Sequence, residues 1–363
     1  MVIAKACNAW TQLFPPSPSF TEKDVPAQTG RVFIVTGGNG GVGFALCRIL
    51  YSTGATVYMA SRSKERAEEA IRTIIESSPA PANPGRILFL QLDLNDLESV
   101  KAAAATFSAR ETKLDILWNN AGMGANRIAP NTRTKQGFEA MVGMHCIATL
   151  VFTDLLRPQL RAAAASQPPG AVRVVCTSSF LAESGSPVNG VDFATLEKGT
   201  DDRVVNYAVS KAGTWMLGRE MARRYAADGI FSVVQNPGNL KAGSYEGTPA
   251  LTMCLVRPLL YDARFGAYTE LYCGLSPEIT TETNGAYVIP WGRIRPDKDC
   301  PRRDIINAMT SVEEGGLGYA TKFWEWCEEQ WRPFIETTTD SSNPLINSEE
   351  FLQCENGNTE VFA

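Results

Sequence analysis

From Arg31 onward, short apolar runs alternate with longer segments in which apolar residues recur every third or fourth position. The short runs are Val32–Thr36, Thr56–Ala60, Ile87–Leu92, Leu114–Trp118, Val172–Thr177, Phe231–Gln235 and Ala286–Pro290. They are rich in β-branched residues and nearly unbroken by polar ones. That is the pattern of strands covered on both faces, as in a parallel sheet. Between them lie "FALCRILYSTG", "SKERAEEAIRTIIESS", "NDLESVKAAAATFSA", "KQGFEAMVGMHCIATLVFTDLLRPQL" and "NYAVSKAGTWMLGREMARRYAADG", each with helical spacing. Strand–helix alternation of this kind predicts a single doubly wound α/β domain of Rossmann type, with about seven parallel strands and helices on both faces.

Three stretches break the rhythm. Residues 1–29 are rich in Pro, Ser and Thr and read as an N-terminal arm laid over the domain, which occupies residues 30–334. Residues 239–275 carry an apolar segment before the last strand, suited to a lid over a substrate or, equally, to core or subunit packing. Residues 335–363 are polar and read as a mobile tail.

Composition narrows the function classes. With 363 residues and 44% hydrophobic content the chain can bury a full core, and a net charge of −5 offers no basic surface for a nucleic-acid backbone. The nine cysteines are scattered without a C-x-x-C pair, and there is a single histidine, so no metal site is expected. No apolar run approaches the ~18 residues of a membrane span, and the N-terminus has no adequate signal-peptide apolar region. A cytoplasmic protein in a reducing compartment is expected.

Candidate chemistry begins at "VFIVTGGNGGVGFALCRIL", where G-x-G-x-x-G (38/40/43) overlaps T-G-x-x-x-G-x-G (36–43) between a strand and a helix. Residues without side chains let the backbone approach a pyrophosphate, and the helix start supplies free N–H groups. The next strand ends in Ser61 and Arg62, where a carboxylate would select a free ribose. A guanidinium suits a 2′-phosphate, so NADP(H) is favoured over NAD(H). "NYAVSKAG" sets Tyr207 and Lys211 one helical turn apart on one face. An ammonium beside a phenol favours the phenolate and draws a tyrosine of ordinary pKa ~10 toward working pH. Three further strand ends gather polar or turn residues: Asn119–Gly122, Thr177–Ser179, and Pro237–Gly238.

In this order, these motifs resemble the short-chain dehydrogenase/reductase family, in its retinol-dehydrogenase-like fungal branch, over about residues 14–334. The resemblance implies that Gly37, Asn39, Gly41, Val42 and Gly43 form the phosphate loop and that Arg62 meets the 2′-phosphate. It places Asp93 and Leu94 at the adenine, Asn120, Ala121 and Gly122 beside the cofactor, and Pro237, Gly238 and Leu240 near the carboxamide. Ser179 would orient a substrate carbonyl, Tyr207 would exchange the proton, and Lys211 would bind the nicotinamide ribose. His145 falls where the family has its fourth catalytic residue, an asparagine. Ala242 stands where the family has a threonine, with Ser244 nearby.

The resulting expectation is an NADPH-dependent carbonyl reductase or alcohol dehydrogenase acting on a small apolar molecule, in keeping with fungal secondary metabolism. A non-redox step on the same fold and a non-catalytic NADP(H) sensor are the alternatives, and a homodimer or homotetramer through the Tyr207 helix is left open. His145 is flanked by Met144, Cys146, Ile147, Leu150 and Val151, which favours a neutral bracing ring over a proton relay.

Overall fold

The computed structural model describes residues 2–77, 84–129, 131–241, 253 and 256–335. Eight strands form one sheet: β1 (Val32–Thr36), β2 (Thr56–Ser61), β3 (Arg86–Gln91), β4 (Ile116–Asn119), β5 (Val172–Thr177), β6 (Ile230–Gln235), β7 (Tyr287–Ile289) and β8 (Arg293–Arg295), in the order 3-2-1-4-5-6-7-8. The first seven are mutually parallel. The eighth runs antiparallel to β7 at the edge, and its sequence, with one apolar residue between two arginines, gave no strand pattern to read. Chain order reverses beside β1, whose Ile34 pairs with Tyr58 of β2 on one side and Leu117 of β4 on the other. The crevice opens at the carboxyl ends of those strands.

Helices cover both faces. On one side α2 (Gly41–Tyr51) and α3 (Lys64–Ser77) pack with α10 (Ala263–Leu275). On the other lie α4 (Leu97–Ser108), the broken helix α5 (Ala140–Val142), π-turn Gly143–Ile147 and α6 (Ala148–Leu155), then α9 (Arg203–Arg224) and α12 (Tyr319–Ile335). Carboxylates start several of them: Asp96, Asp202 and Asp262 accept the first free N–H groups of α4, α9 and α10. The amphipathic α12 lies along α9, which is buried over most of its circumference. It therefore covers a face of the helix through which association had been left open. The remaining short helices are α7 (Arg157–Ala164), α8 (Leu181–Ser184) and α11 (Arg303–Met309).

One flanking expectation changes. Val2–Leu13 is a helix, α1, and the Pro-rich sequence begins only after it. The side chains of Asn8 and Gln12 reach the buried Glu183 of α8 at 3.1 and 3.3 Å, and Glu183 is itself paired with Arg295 of β8 at 2.7 Å. Of the 239–275 segment, α10 is a buried core helix. Its Gly274 lies so close beneath Trp118 that an added Cβ would sit 2.1 Å from the indole. Residues 242–252, including Ala242 and Ser244, and the tail from 336 lie outside the described residues. Among the described residues, Cys47, Cys146, Cys176, Cys273, Cys300 and Cys327 are buried free thiols. No single helix among them is long and apolar enough to cross a membrane.

Candidate active site

At the carboxyl edge of the sheet is a cavity of about 810 Å³. Its floor at one end is the glycine turn. Gly37 and Gly41 have φ of +67° and +52°, conformations that side chains resist. Helix α2 follows Gly40, which has no side chain to cap it, and Gly40, Gly41 and Val42 line the cavity at the helix start. Gly43 does not line the cavity. A Cβ there would lie 2.5 Å from Gly37 O and 2.6 Å from Asn120 Nδ2, so this glycine serves the close fit of α2 against the turn rather than direct contact.

The turn after β4 is stitched to the same place. Asn120 Nδ2 donates to Thr36 O at 2.8 Å and Ala121 N donates to Thr36 Oγ1 at 2.9 Å. Arg62, Asp93 and Leu94 line the far end of the cavity. Arg66, in the first turn of α3, stands there too. It was missed by sequence reasoning, although a second arginine shortly after the end of β2 was the available signal.

At the opposite end, α9 presents Tyr207 and Lys211. Lys211 Nζ lies 5.6 Å from the Tyr207 ring centre and donates to Thr177 O at 2.9 Å. Ser178 Oγ donates to Lys211 O at 2.8 Å, which ties α9 to the end of β5. Burial pulls the Lys211 ammonium down to about 8. Ser179 Oγ accepts from Leu181 N at 3.2 Å, leaving its own hydrogen for the cavity. Around this end Met123, Met144, Phe180, Leu181, Val204 and Val256 form an apolar wall. Pro237 and Gly238 complete the rim, and Leu240, although at the cavity, is turned largely inward against Gly266.

His145 is not on the cavity wall. It is buried in the π-turn, with Nε2 accepting from Met123 N at 3.2 Å. The ring hydrogen therefore sits on Nδ1 and is donated to Ser210 Oγ at 2.8 Å; Ser210 Oγ in turn donates to Tyr207 O at 2.8 Å. Burial first, then the Lys211 charge, holds the ring's pKa well below its ordinary value, so it is neutral at pH 7. Both nitrogens are committed to bracing the loop after β4 against α9.

A family model described as short chain dehydrogenase matches residues 31–195. A short-chain dehydrogenase/reductase of Pestalotiopsis fici is 49% identical over 329 residues, covering 90% of this chain and 98% of that protein. Another, from Neocamarosporium betae, is 40% identical over 335 residues, covering 90% and 94%. The fold is shared with an NADPH-bound carbonyl reductase from chicken fatty liver, at 23% identity, 74% and 99% coverage and a TM-score of 0.55. The chain belongs to the short-chain dehydrogenase/reductase family of oxidoreductases.

Proposed function

We propose that the protein is an NADP(H)-dependent carbonyl reductase, or alcohol dehydrogenase in the reverse direction, acting on a small apolar molecule. The observation that carries this reading is one cavity that joins an uncapped helix start, two guanidinium groups, and Ser179, Tyr207 and Lys211 beside an apolar wall. The residues present fit the cofactor. Glycines leave room at the start of α2 for a pyrophosphate, and Arg62 with Arg66 suits a 2′-phosphate. Membership of the oxidoreductase family supports the same assignment, and the fungal origin of the relatives suits a place in secondary metabolism.

When bound, NADP(H) supplies the hydride chemistry. Ser179 Oγ orients the carbonyl oxygen by donating its free hydrogen, and Tyr207 Oη delivers the proton to that oxygen. Lys211, charged at pH 7, holds the ribose end and favours the phenolate that Tyr207 becomes. The apolar wall accepts the substrate's hydrocarbon and limits water at the reacting carbon.

Tyr207→Phe keeps the ring and removes only the hydroxyl. NADPH consumption with a panel of ketones should fall by roughly 10²–10⁴ while NADPH affinity by direct titration stays close to wild type. Near-wild-type turnover by a folded Tyr207→Phe variant would exclude the mechanism. NADPH binding by wild type without consumption of any ketone would favour the non-redox or sensing alternatives.

A further inference from the structure

Behind the catalytic strands, on the side of the sheet away from α9, the Glu270 side chain of α10 is wholly buried. Its Oε1 accepts Thr177 Oγ1 at 2.7 Å and Gln235 Nε2 at 2.8 Å, and Gln235 Nε2 also donates to Thr177 Oγ1 at 3.0 Å. Glu270 Oε2 and Gln235 Oε1 have no partner among the described residues. A buried carboxylate without an ion-pair partner is costly, and an apolar side chain would fill the same space more cheaply. Thr177 makes the cost intelligible, because it is the residue whose carbonyl holds Lys211 Nζ at 2.9 Å. Carboxylate and ammonium thus meet through a single residue at the end of β5.

The other titratable groups facing Glu270 do not neutralise it. Cys176 of β5 and Cys273 of α10 are thiols. Arg173 of β5 is committed to the carbonyls of Gly170, Cys273 and Ile279. Lys211 is the remaining cation.

Resting on the NADP(H) reading above, we propose that Glu270 is a positioning residue, which fixes Thr177 from the rear of the sheet and supplies the negative charge that keeps Lys211 ionised beside Tyr207. The electrostatics agree with the geometry. Burial raises Glu270 to about 7 and lowers Lys211 to about 8, while the attraction between them opposes both shifts. Cys146 and Cys176 also face Lys211, but as thiols pushed above their ordinary range they carry no charge near neutral pH. Loss of the Glu270 charge therefore removes the carboxylate that opposes the burial of Lys211, and the ammonium is lost at lower pH.

Glu270→Gln tests this, because the amide preserves shape and the Oε1 acceptor while deleting the charge. NADPH binding by the full chain is titrated through quenching of tryptophan fluorescence between about pH 6 and 10, a range that brackets the Lys211 transition. Wild-type affinity should weaken as pH rises through about 8, the Lys211 transition. In E270Q the midpoint should move down by roughly 0.5–1 pH unit. A merely structural role would weaken binding by the same factor at every pH, and an unmoved midpoint would overturn the proposal. Should E270Q fail to fold, Thr177→Val removes the hydroxyl that orients the carboxylate and should move the midpoint in the same direction. Failure of the wild type to bind NADPH at any pH would instead overturn the functional reading, and this proposal with it.

Discussion

Single residues carry the chemistry, and His145 shows how much their surroundings decide. A lone histidine beside Tyr207 and Lys211 invites a role in proton transfer. With both ring nitrogens hydrogen-bonded and the imidazolium disfavoured by burial and by Lys211, it has no proton to exchange near neutral pH. His145→Asn should therefore keep most of the turnover, and the acidic limb of the pH–rate profile should stay where it is. A loss of about a hundredfold with disappearance of a limb near pH ~6.5 would make it an acid–base group. Tyr207, Lys211, Ser179 and Arg62 were legible in sequence because each belongs to a short motif beside a strand or on one helical face. Glu270 was not, since its partners Thr177 and Gln235 are brought to it only by the sheet, and nothing local in "AYTELYCG" marks it.

At the scale of elements, the parallel strands announced themselves through unbroken apolar runs, whereas β8 is held by its neighbours and not by its own sequence. The long apolar helix around His145 reads as continuous, yet it is interrupted by the π-turn and bends by 53° before α7. The packing of α12 on α9 depends on small residues. A Cβ on Gly213 would lie 2.6 Å from the Phe323 ring and 3.0 Å from Cys146 Sγ. Gly213→Ala should cost about 1–3 kcal/mol through overpacking, despite the helix-favouring methyl, and calorimetry should show a lower Tm. An unchanged or higher Tm would mean that α12 yields freely.

For the whole molecule, the N-terminal helix α1 meets α8 and the edge strand β8. Asn8 and Gln12 of α1, Glu183 of α8 and Arg295 of β8 form one buried polar group, and Gln12 Oε1 also takes Asn236 Nδ2 at 2.8 Å on the cavity wall. Arg295 further lies 4.9 Å from the ring centre of Tyr287, whose hydroxyl donates to Ser179 O at 3.3 Å. Arg295→Met would strand the Glu183 charge. The expected loss is about 3–5 kcal/mol in urea unfolding. A cost under about 1 kcal/mol would show that water reaches the carboxylate. None of this arrangement could be seen along the chain, because residues 8, 183, 236 and 295 share no local pattern.

The buried thiols give the molecule a chemical clock. Burial pushes Cys47, Cys146, Cys176, Cys273, Cys300 and Cys327 above the ordinary thiol range, so the folded form presents alkylating reagents with almost no thiolate. Modification must wait for the protein to open, and the rate at each site, read by peptide mass spectrometry, dates the opening of its own neighbourhood. Cys47 lies directly beneath the glycine turn, within 2.9 Å of where a Gly38 Cβ would stand. Its labelling by iodoacetamide should slow as NADPH is added, so one cysteine would report occupancy of the cofactor end without any substrate being present.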